Sequence, residues 1–220
     1  STFVGLKEQF RDYTQKMIRI ASSSTYFVPE LEAGKAPERE RMLLEICSQE
    51  VSAFSEFISD LPMDTILAAS DKIRRSNRIF IFAHDISKVP GEFLKLRLLI
   101  LYYNVILIDL SDLEQTQKTL RKLTEGDLVI LLSFPRYYFP IGNIAKKASE
   151  SGVPILTITD SDASPAACHS DLLLICPTST EMFYNSMTIP IAMLNILASC
   201  LVIDSISPSE RQNFINTLSS

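Results

Sequence analysis

Short apolar runs alternate with longer helical patterns from about residue 78 onward. Five runs consist almost wholly of apolar side chains, which is typical of strands buried on both faces of a sheet. These runs cover residues 78–83, 105–110, 128–132, 154–159 and 172–176. Between and after them, apolar residues recur every three or four positions, which predicts helices. The predicted helices cover residues 93–103, 112–123, 141–149, 183–205 and 210–218.

The alternation predicts a doubly wound α/β fold with three layers. Strands separated by single helices form βαβ units, in which a parallel sheet carries helices on both faces. Because the crossovers are right-handed, five strands favour the order 2-1-3-4-5, with the switch point between strands one and three. Small ligands bind at such a point, outside the carboxyl ends of the strands. The loops over residues 83–90 and 133–138 are therefore expected to line a crevice.

The first 76 residues have a different, purely helical pattern. Apolar residues at helical spacing predict a helix over 6–20, another over 37–59 and a third over 65–75, with Asp64 as its expected cap. We therefore expect a helical extension over residues 1–76, an α/β domain over 77–206 and a C-terminal helix over 207–220.

Composition narrows the class of protein. The chain is 46% hydrophobic and 21% charged, which is ordinary for a globular protein, and its net charge of -5 makes it a poor partner for duplex DNA by itself. Its apolar stretch at 189–203 is interrupted by Pro190 and Asn195, so we expect no membrane span. Four scattered cysteines without a CxxC pair indicate reduced thiols in a cytoplasmic protein. No His/Cys/Asp/Glu cluster has metal-site spacing, and we expect neither a metal nor a cofactor.

Candidate chemistry is concentrated in residues 126–140, GDLVILLSFPRYYFP. The third predicted strand ends at Ser133, Arg136 follows, and a helix is expected from about residue 141. Free amides at a helix start favour negative charge, and a guanidinium can bind a phosphate through two hydrogen bonds. The segment thus indicates an anion site, with a proline-containing turn carrying a surface arginine as the alternative.

Three segments together carry a resemblance to a known family. They are GDLVILLSFPRYYFP at 126–140, AKKASESGVPILTITDSDASPAACHSDLLLI at 145–175 and FYNSMTIPIAMLNILASCL at 183–201. In this order and spacing they resemble the sugar isomerase (SIS) domain, and more narrowly the effector domain of RpiR-type bacterial transcriptional regulators. FVGLKEQFRDY at 3–13 resembles the segment that joins the helix-turn-helix headpiece of those regulators to the SIS domain, so the headpiece is expected to be absent from this chain.

The resemblance implies a sensor of phosphosugars or similar anionic carbohydrate derivatives. In the family, hydroxyls from the loops after strands one and three surround the phosphate, which points here to Ser87 and Ser133. Two departures bear on the ligand. Residues 134–137 replace the common Ser-x-Ser-Gly-x-Thr pattern, and residues 83–86 stand where glycines are usual. Side chains at glycine positions block close approach of the backbone to a phosphate, and Asp85 repels it unless Lys88 or Arg136 offsets the charge.

The candidate ligand-binding residues combine the crevice loops with the loop after strand five. His84 is a possible acid, base or ligand contact, the alternative being a polar loop residue without chemistry. Asp160–Ser161–Asp162 faces a ligand or forms a capped turn. The expected ligand-binding set is Ser87, Ser133, Arg136, Tyr137, His84 and Ser179.

We expect a regulator domain without catalytic residues, which responds allosterically to its ligand. The alternative is a phosphosugar isomerase, for which the sequence offers His84 and Glu181 but no matched acid–base pair. A homodimer is also expected, because the helix over 183–202 has more apolar residues than a monomer core needs. These residues are Ile189, Ile191, Met193, Leu194, Ile196 and Leu197.

Overall fold

The computed structural model describes residues 37–180, 182 and 185–218. The helix expected over residues 6–20, the 3–13 segment and Glu181 lie outside the described residues. The chain divides into two compact units. One contains residues 61–179 and 185–206, and the other contains residues 37–60, 180, 182 and 207–218.

The larger unit contains a five-stranded parallel sheet in the order β2-β1-β3-β4-β5, as predicted. The switch point lies between β1 and β3, which pair in register from Arg78 with Asp127 to Ala83 with Leu132. The strands are β1 Arg78–Ala83, β2 Val105–Asp109, β3 Asp127–Ser133, β4 Ile155–Thr159 and β5 Leu172–Ile175.

Helices cover both faces of this sheet. One face packs against α2 (Met63–Arg75), α3 (Lys88–Ile100) and α6 (Thr188–Ser205). The other packs against α4 (Leu113–Leu120) and α5 (Ile141–Glu150). Two 3₁₀ turns, Asp85–Ser87 and Ala167–His169, precede α3 and β5.

Alternation along the strands gives each face its own core. Phe80 and Phe82 of β1 join Val129 and Leu131 of β3 in the cluster under α4 and α5. The next residues in each strand point to the other face and are also fully buried. At Gly91 an added Cβ would lie 3.0 Å from a Leu107 side-chain carbon, so the absence of a side chain lets α3 lie close to the sheet beside the predicted crevice.

Helix α6 is a core helix of this unit. It is long and apolar enough to cross a membrane by length and composition alone, but seven of its residues are buried. Among the six residues expected to form a surplus, Ile189, Met193, Leu194 and Leu197 are buried within the chain. Most of these residues therefore serve the chain's own core, and their number does not by itself indicate a dimer interface on this helix.

Several helix boundaries differ from the sequence predictions. Helix α3 begins at Lys88, five residues before the predicted start, because proline is tolerated in a first helical turn and Pro90 lies there. The left-handed residue after α3 is Tyr102, with φ of 65°, whereas asparagine at 104 is the residue type that usually takes this conformation after a helix. Helix α2 begins at Met63, so Asp64 lies within the first turn and does not cap it.

An ion pair joins β1 and β3 at their amino-terminal ends. Arg78 donates from Nε and Nη2 to the two carboxylate oxygens of buried Asp127, at 2.8 and 2.7 Å. The Thr124 amide and hydroxyl also donate to Asp127. Burial opposes the charged form, but these hydrogen bonds outweigh it and lower the pKa of Asp127. The pair fixes the strand ends opposite the crevice.

The smaller unit contains α1 (Glu38–Ser59) and α7 (Pro208–Leu218) in its described part. Helix α7 begins with a capping box. The Ser207 amide and hydroxyl donate to the Glu210 carboxylate, and the Glu210 amide donates back to the Ser207 hydroxyl. Those hydrogen bonds lower the pKa of Glu210.

Candidate functional site

The crevice predicted at the switch point is present as a cleft between the loops that follow β1 and β3. Both loops leave the carboxyl ends of adjacent strands, so they meet at one edge of the sheet. The cleft is lined by His84, Asp85, Ile86, Ser87, Leu132, Ser133, Phe134, Pro135, Arg136, Tyr138 and Ile141. Four of the six predicted ligand-binding residues lie here, namely His84, Ser87, Ser133 and Arg136.

Three buried polar atoms face this small space. The hydroxyl of Ser87 accepts a hydrogen bond from the Phe134 amide at 3.3 Å, which leaves its own proton available. The Ser133 hydroxyl and the Nδ1 atom of His84 are buried and have no hydrogen-bond partner among the described residues. A buried polar atom without a partner costs free energy. The cleft therefore holds unused hydrogen-bonding capacity suited to a polar group that enters from outside.

Ser133 is positioned through its own backbone. It is the last residue of β3, and its carbonyl accepts a hydrogen bond of 2.5 Å from the Thr159 hydroxyl at the end of β4. Both residues are buried. The strand end is thus held by its neighbour while the Ser133 hydroxyl stays uncommitted.

Three hydrogen bonds fix the loop over residues 134–137. The first is the bond from the Phe134 amide to the Ser87 hydroxyl. In the second, the Pro135 carbonyl accepts a 2.6 Å hydrogen bond from the Asn185 side-chain amide. The Tyr137 hydroxyl donates to Asp160 at 2.7 Å. Burial and this bond raise the pKa of Tyr137 to about 12, so the hydroxyl stays protonated at neutral pH. The loop is therefore positioned before any ligand arrives.

Both loops contain a residue in the left-handed region. Asp85 has φ of 48° and Arg136 has φ of 54°. Aspartate, like asparagine, tolerates this conformation, so the cost of roughly 1–2 kcal/mol falls mainly on Arg136. Such strain tends to occur where function fixes the backbone. Here it lies in the loop after β3, on one side of the cleft.

The rings of His84 and Tyr138 narrow the cleft. Their centroids lie 4.4 Å apart at an angle of 32°. The remaining cavity volume is about 10 Å³, which is the space of roughly one water molecule. A phosphoryl group fits between the loops only if they separate or the rings turn.

Lys88 forms its ion pair with Asp109, although the charge of Asp85 also acts on it. Lys88 donates from Nζ to Asp109 at 2.7 Å, at the end of β2. This hydrogen bond is the main cause that lowers the pKa of Asp109 to about 2, and it raises the pKa of Lys88. Of the two cations expected to offset Asp85 in the cleft, Lys88 is thus committed to another carboxylate.

One part of the predicted anion site is wrong. The amides of Ile141, Gly142 and Asn143 donate to the carbonyls of residues 138, 139 and 140, at 2.9–3.2 Å. The start of α5 thus closes on itself in a tight turn and offers no free amides from these three residues. These three amides therefore do not contribute to an anion site here.

The other predicted residues lie beside the cleft. Tyr137 points to Asp160, and exposed Ser179 is not among the cleft-lining residues. The 160–162 segment forms the capped turn, in which the Ala163 amide donates to the Ser161 hydroxyl at 3.1 Å. Sequence reasoning missed Tyr138 and Asn185. An aromatic residue in a loop and a polar residue before a helix carry no local signal of a contact that forms only in the folded chain.

Comparison with solved structures shows the fold in other proteins. The SIS domain of an RpiR transcription factor from Sphaerobacter thermophilus is 22% identical, with a TM-score of 0.69 over 81% of this chain and 98% of that one. NanR of Vibrio vulnificus, solved in complex with ManNAc-6P, is 15% identical, with a TM-score of 0.61 over 84% of this chain and 74% of that one.

A third similar structure belongs to a protein assigned to an enzyme class. It comes from Methanococcus jannaschii, and its structure led to the inference of a 3-hexulose-6-phosphate isomerase. It is 19% identical, with a TM-score of 0.57 over 78% of this chain and 96% of that one. The comparison with curated proteins returned no match. The SIS fold thus occurs both in regulators and in proteins assigned as isomerases.

The family assignment comes from the sequence model of the SIS domain. It matches residues 72–200, which include all five strands, both cleft loops and most of α6. The match covers more than half of the chain and contains the whole switch-point cleft. The chain therefore belongs to the SIS domain family.

Proposed function

We propose that this chain is the effector domain of an RpiR-type transcriptional regulator and that the cleft binds a phosphosugar. The observation that carries the proposal is a pair of buried atoms beside the Ser87 hydroxyl, Ser133 Oγ and His84 Nδ1, for which residues 37–180, 182 and 185–218 offer no hydrogen-bond partner. Hydroxyl protons and an imidazole nitrogen suit the oxygens of a phosphate. The complex of NanR with ManNAc-6P, a structure of the same fold, supports this class of ligand.

The small volume of the cleft supports a sensor role. Since about 10 Å³ does not hold a phosphoryl group, binding requires the loops to separate or the rings of His84 and Tyr138 to turn. The ligand then has different affinities for the closed and the open cleft, which is the thermodynamic requirement for an allosteric effector. We propose that the open state changes how DNA-binding headpieces of the full-length protein are arranged, in a cytoplasmic homodimer.

The test is binding to a variant that lacks the Ser133 hydroxyl. Wild type and Ser133→Ala are titrated by calorimetry with inorganic phosphate and with hexose and pentose phosphates, and Ser149→Ala on the exposed side of α5 is the matched control. Losing a hydrogen bond to a charged group costs about 1.5–3 kcal/mol, so we expect Ser133→Ala to bind about ten- to a hundredfold more weakly. Its melting temperature stays equal or rises, because the hydroxyl has no partner to lose.

Two results would contradict the proposal. Equal affinity of Ser133→Ala and wild type would place the ligand elsewhere. Absence of binding across the whole panel would remove the phosphosugar class.

The second candidate function, a phosphosugar isomerase, rests on one observation. His84 is the titratable base whose buried Nδ1 has no partner in the cleft, and isomerisation needs a base at the sugar. Conversion of aldose phosphates to ketose phosphates, abolished in His84→Ala, would establish the enzyme. Phosphosugar binding without conversion favours the sensor.

A further inference from the structure

A second cavity lies on the α4–α5 face of the sheet, outside the switch-point cleft. We call it the α4–α5 groove. It encloses about 390 Å³, within the usual range for small-molecule sites. Its floor is formed by the apolar residues Leu110, Leu120 and Ile144, which are all buried. Leu113, Tyr138 and Pro140 line its sides.

One buried polar group lines this groove without a partner. Thr116 is 3% exposed, and its hydroxyl has no hydrogen-bond partner among the described residues. A threonine within a helix can bond the carbonyl four residues earlier, but here the Asp112 carbonyl receives only the Thr116 amide. An apolar residue would avoid the cost of that buried hydroxyl. A hydroxyl at this position therefore points to a partner that enters the groove.

The rim of the groove carries more positive than negative charge. Lys146 and Lys147 lie on α5, with Glu150 as the acidic residue of the lining. The Lys146–Glu150 pair is 3.9 Å long and exposed, so it is easily exchanged for another partner. Lys147 contacts the neutral Gln117 at 3.3 Å. These charges favour an occupant with an acidic group at the rim.

We propose that the α4–α5 groove binds a small amphipathic anion with an apolar ring or chain and a carboxylate or sulfonate. The apolar part lies on the floor, an acceptor atom receives the Thr116 hydroxyl proton, and the acid group lies beside Lys146 and Lys147. This inference stands on the groove alone and does not depend on the ligand of the cleft.

Tyr138 connects the two cavities. It lines the groove and also the cleft, where it stacks on His84. An occupant of the groove therefore contacts the residue that narrows the cleft. The groove is placed to influence how readily the cleft opens.

The test uses 1-naphthoate as the probe, with uncharged 1-naphthalenemethanol as its partner compound. Two-dimensional NMR spectra of the isotope-labelled chain are recorded during titration with each compound. We expect shifts at Thr116, Ile144 and Tyr138, followed by shifts at His84, and weaker binding of the uncharged compound. Naphthoate shifts confined to other surfaces would overturn the proposal.

Two substitutions separate the contributions of the hydroxyl and the charge. Thr116→Val keeps the shape of the side chain and should weaken naphthoate binding about two- to tenfold. Lys147→Met keeps the aliphatic stem and should weaken it about two- to fivefold, while Lys72→Met on α2 is the charge-matched control and should have no effect. Because Lys147 is exposed, its variant stays informative even if Thr116→Val folds poorly.

Three outcomes would refute the groove as a small-molecule site. One is equal naphthoate affinity in wild type, Thr116→Val and Lys147→Met. Another is a crystal structure grown with naphthoate in which Thr116 is bonded only to an ordered water. The third is light scattering in which naphthoate acts only by separating two copies of the chain, which would make the groove a subunit interface.

Discussion

Several residues at the switch point lower the stability of the folded chain. Ser133 and His84 each bury a polar atom that has no hydrogen-bond partner in the described part of the chain, and Asp85 and Arg136 each adopt a left-handed backbone. Either feature alone is a small local cost. Their concentration in two facing loops supports the ligand site that we propose.

Arg136 allows the binding and backbone contributions to be measured separately. Arg136→Ala and Arg136→Gly both remove the guanidinium, and each should weaken phosphosugar binding about tenfold to a hundredfold. Arg136→Lys should recover only part of the affinity, since an ammonium does not form two parallel bonds. Glycine adopts φ of 54° without strain, whereas alanine does not. Arg136→Gly should therefore have a higher melting temperature than Arg136→Ala. Calorimetry and melting curves measure the two effects.

The rival explanation for Arg136 is structural. If its role is to stabilise the folded chain, both variants melt earlier and titrate phosphosugars as wild type does. Arg75→Ala, at an exposed position of α2, is the control for the loss of a positive charge.

The protonated Tyr137 hydroxyl should stabilise the cleft loop, and this contribution should be lost at alkaline pH. Its pKa is raised from about 10 to about 12, mainly by burial and then by the bond to Asp160. A raised pKa means that the contribution is complete below pH 10 and is lost as pH rises from 10 to 12. At pH 8, Tyr137→Phe should therefore have a lower melting temperature than wild type, and its free energy of unfolding should be lower by about 1.5–3 kcal/mol. The difference should shrink by pH 12.

Thermal melts of both proteins across this pH range check the prediction. A constant difference from pH 8 to pH 12 would show that the hydroxyl–carboxylate bond does not contribute.

At the level of elements, the sequence predicted strands better than helix ends. Strand β3 (Asp127–Ser133) contains the continuous apolar run Leu128–Leu132 because both faces are buried, so its bounds are visible in composition to within one residue at each end. Helix starts depend on local geometry instead. Helix α3 includes Pro90 in its first turn and ends at Ile100, shortly before left-handed Tyr102, and neither feature follows from apolar spacing.

The same distinction applies to the site. Strand order placed the loops of Ser87 and Ser133 together, because the carboxyl ends of β1 and β3 must meet. The closed amides at the start of α5 and the stacking of Tyr138 on His84 were not predictable. Both depend on the path of the loop, which is fixed by tertiary contacts such as that from Asn185.

The N-cap residue Asp112 should contribute measurably to the stability of the short helix α4. Asp112 accepts a 2.8 Å hydrogen bond from the Gln115 amide, and the helix that it caps has eight residues. Asp112→Ala should lower the free energy of unfolding by about 0.5–2 kcal/mol, whereas Asp112→Asn should retain most of it. Chemical denaturation measures both. An equal loss in the two variants would assign the effect to charge and not to the cap.

At the scale of the whole molecule, exposed apolar surface lies on α3. Leu96 and Ile100 are 57% and 68% exposed, one turn apart on the helix that begins at the cleft. Helix α6, where the sequence placed a dimer interface, buries most of its apolar residues and exposes Val202 and Ile203 at its end. The two helices therefore offer alternative interfaces for the homodimer that we propose.

Paired charge substitutions distinguish these interfaces. Leu96→Glu with Ile100→Glu places two carboxylates on α3, where burial against a second copy would require their desolvation. If α3 forms the interface, this double variant should be monomeric by light scattering at micromolar concentration. Val202→Glu with Ile203→Glu should then remain dimeric, and both variants should melt close to wild type because the replaced side chains are exposed. A monomeric wild type would contradict the dimer itself. If only the Val202→Glu and Ile203→Glu double variant dissociates, the interface lies on α6. Since α3 begins at the cleft loop, an interface on α3 would also give cleft opening a direct route to the partner subunit.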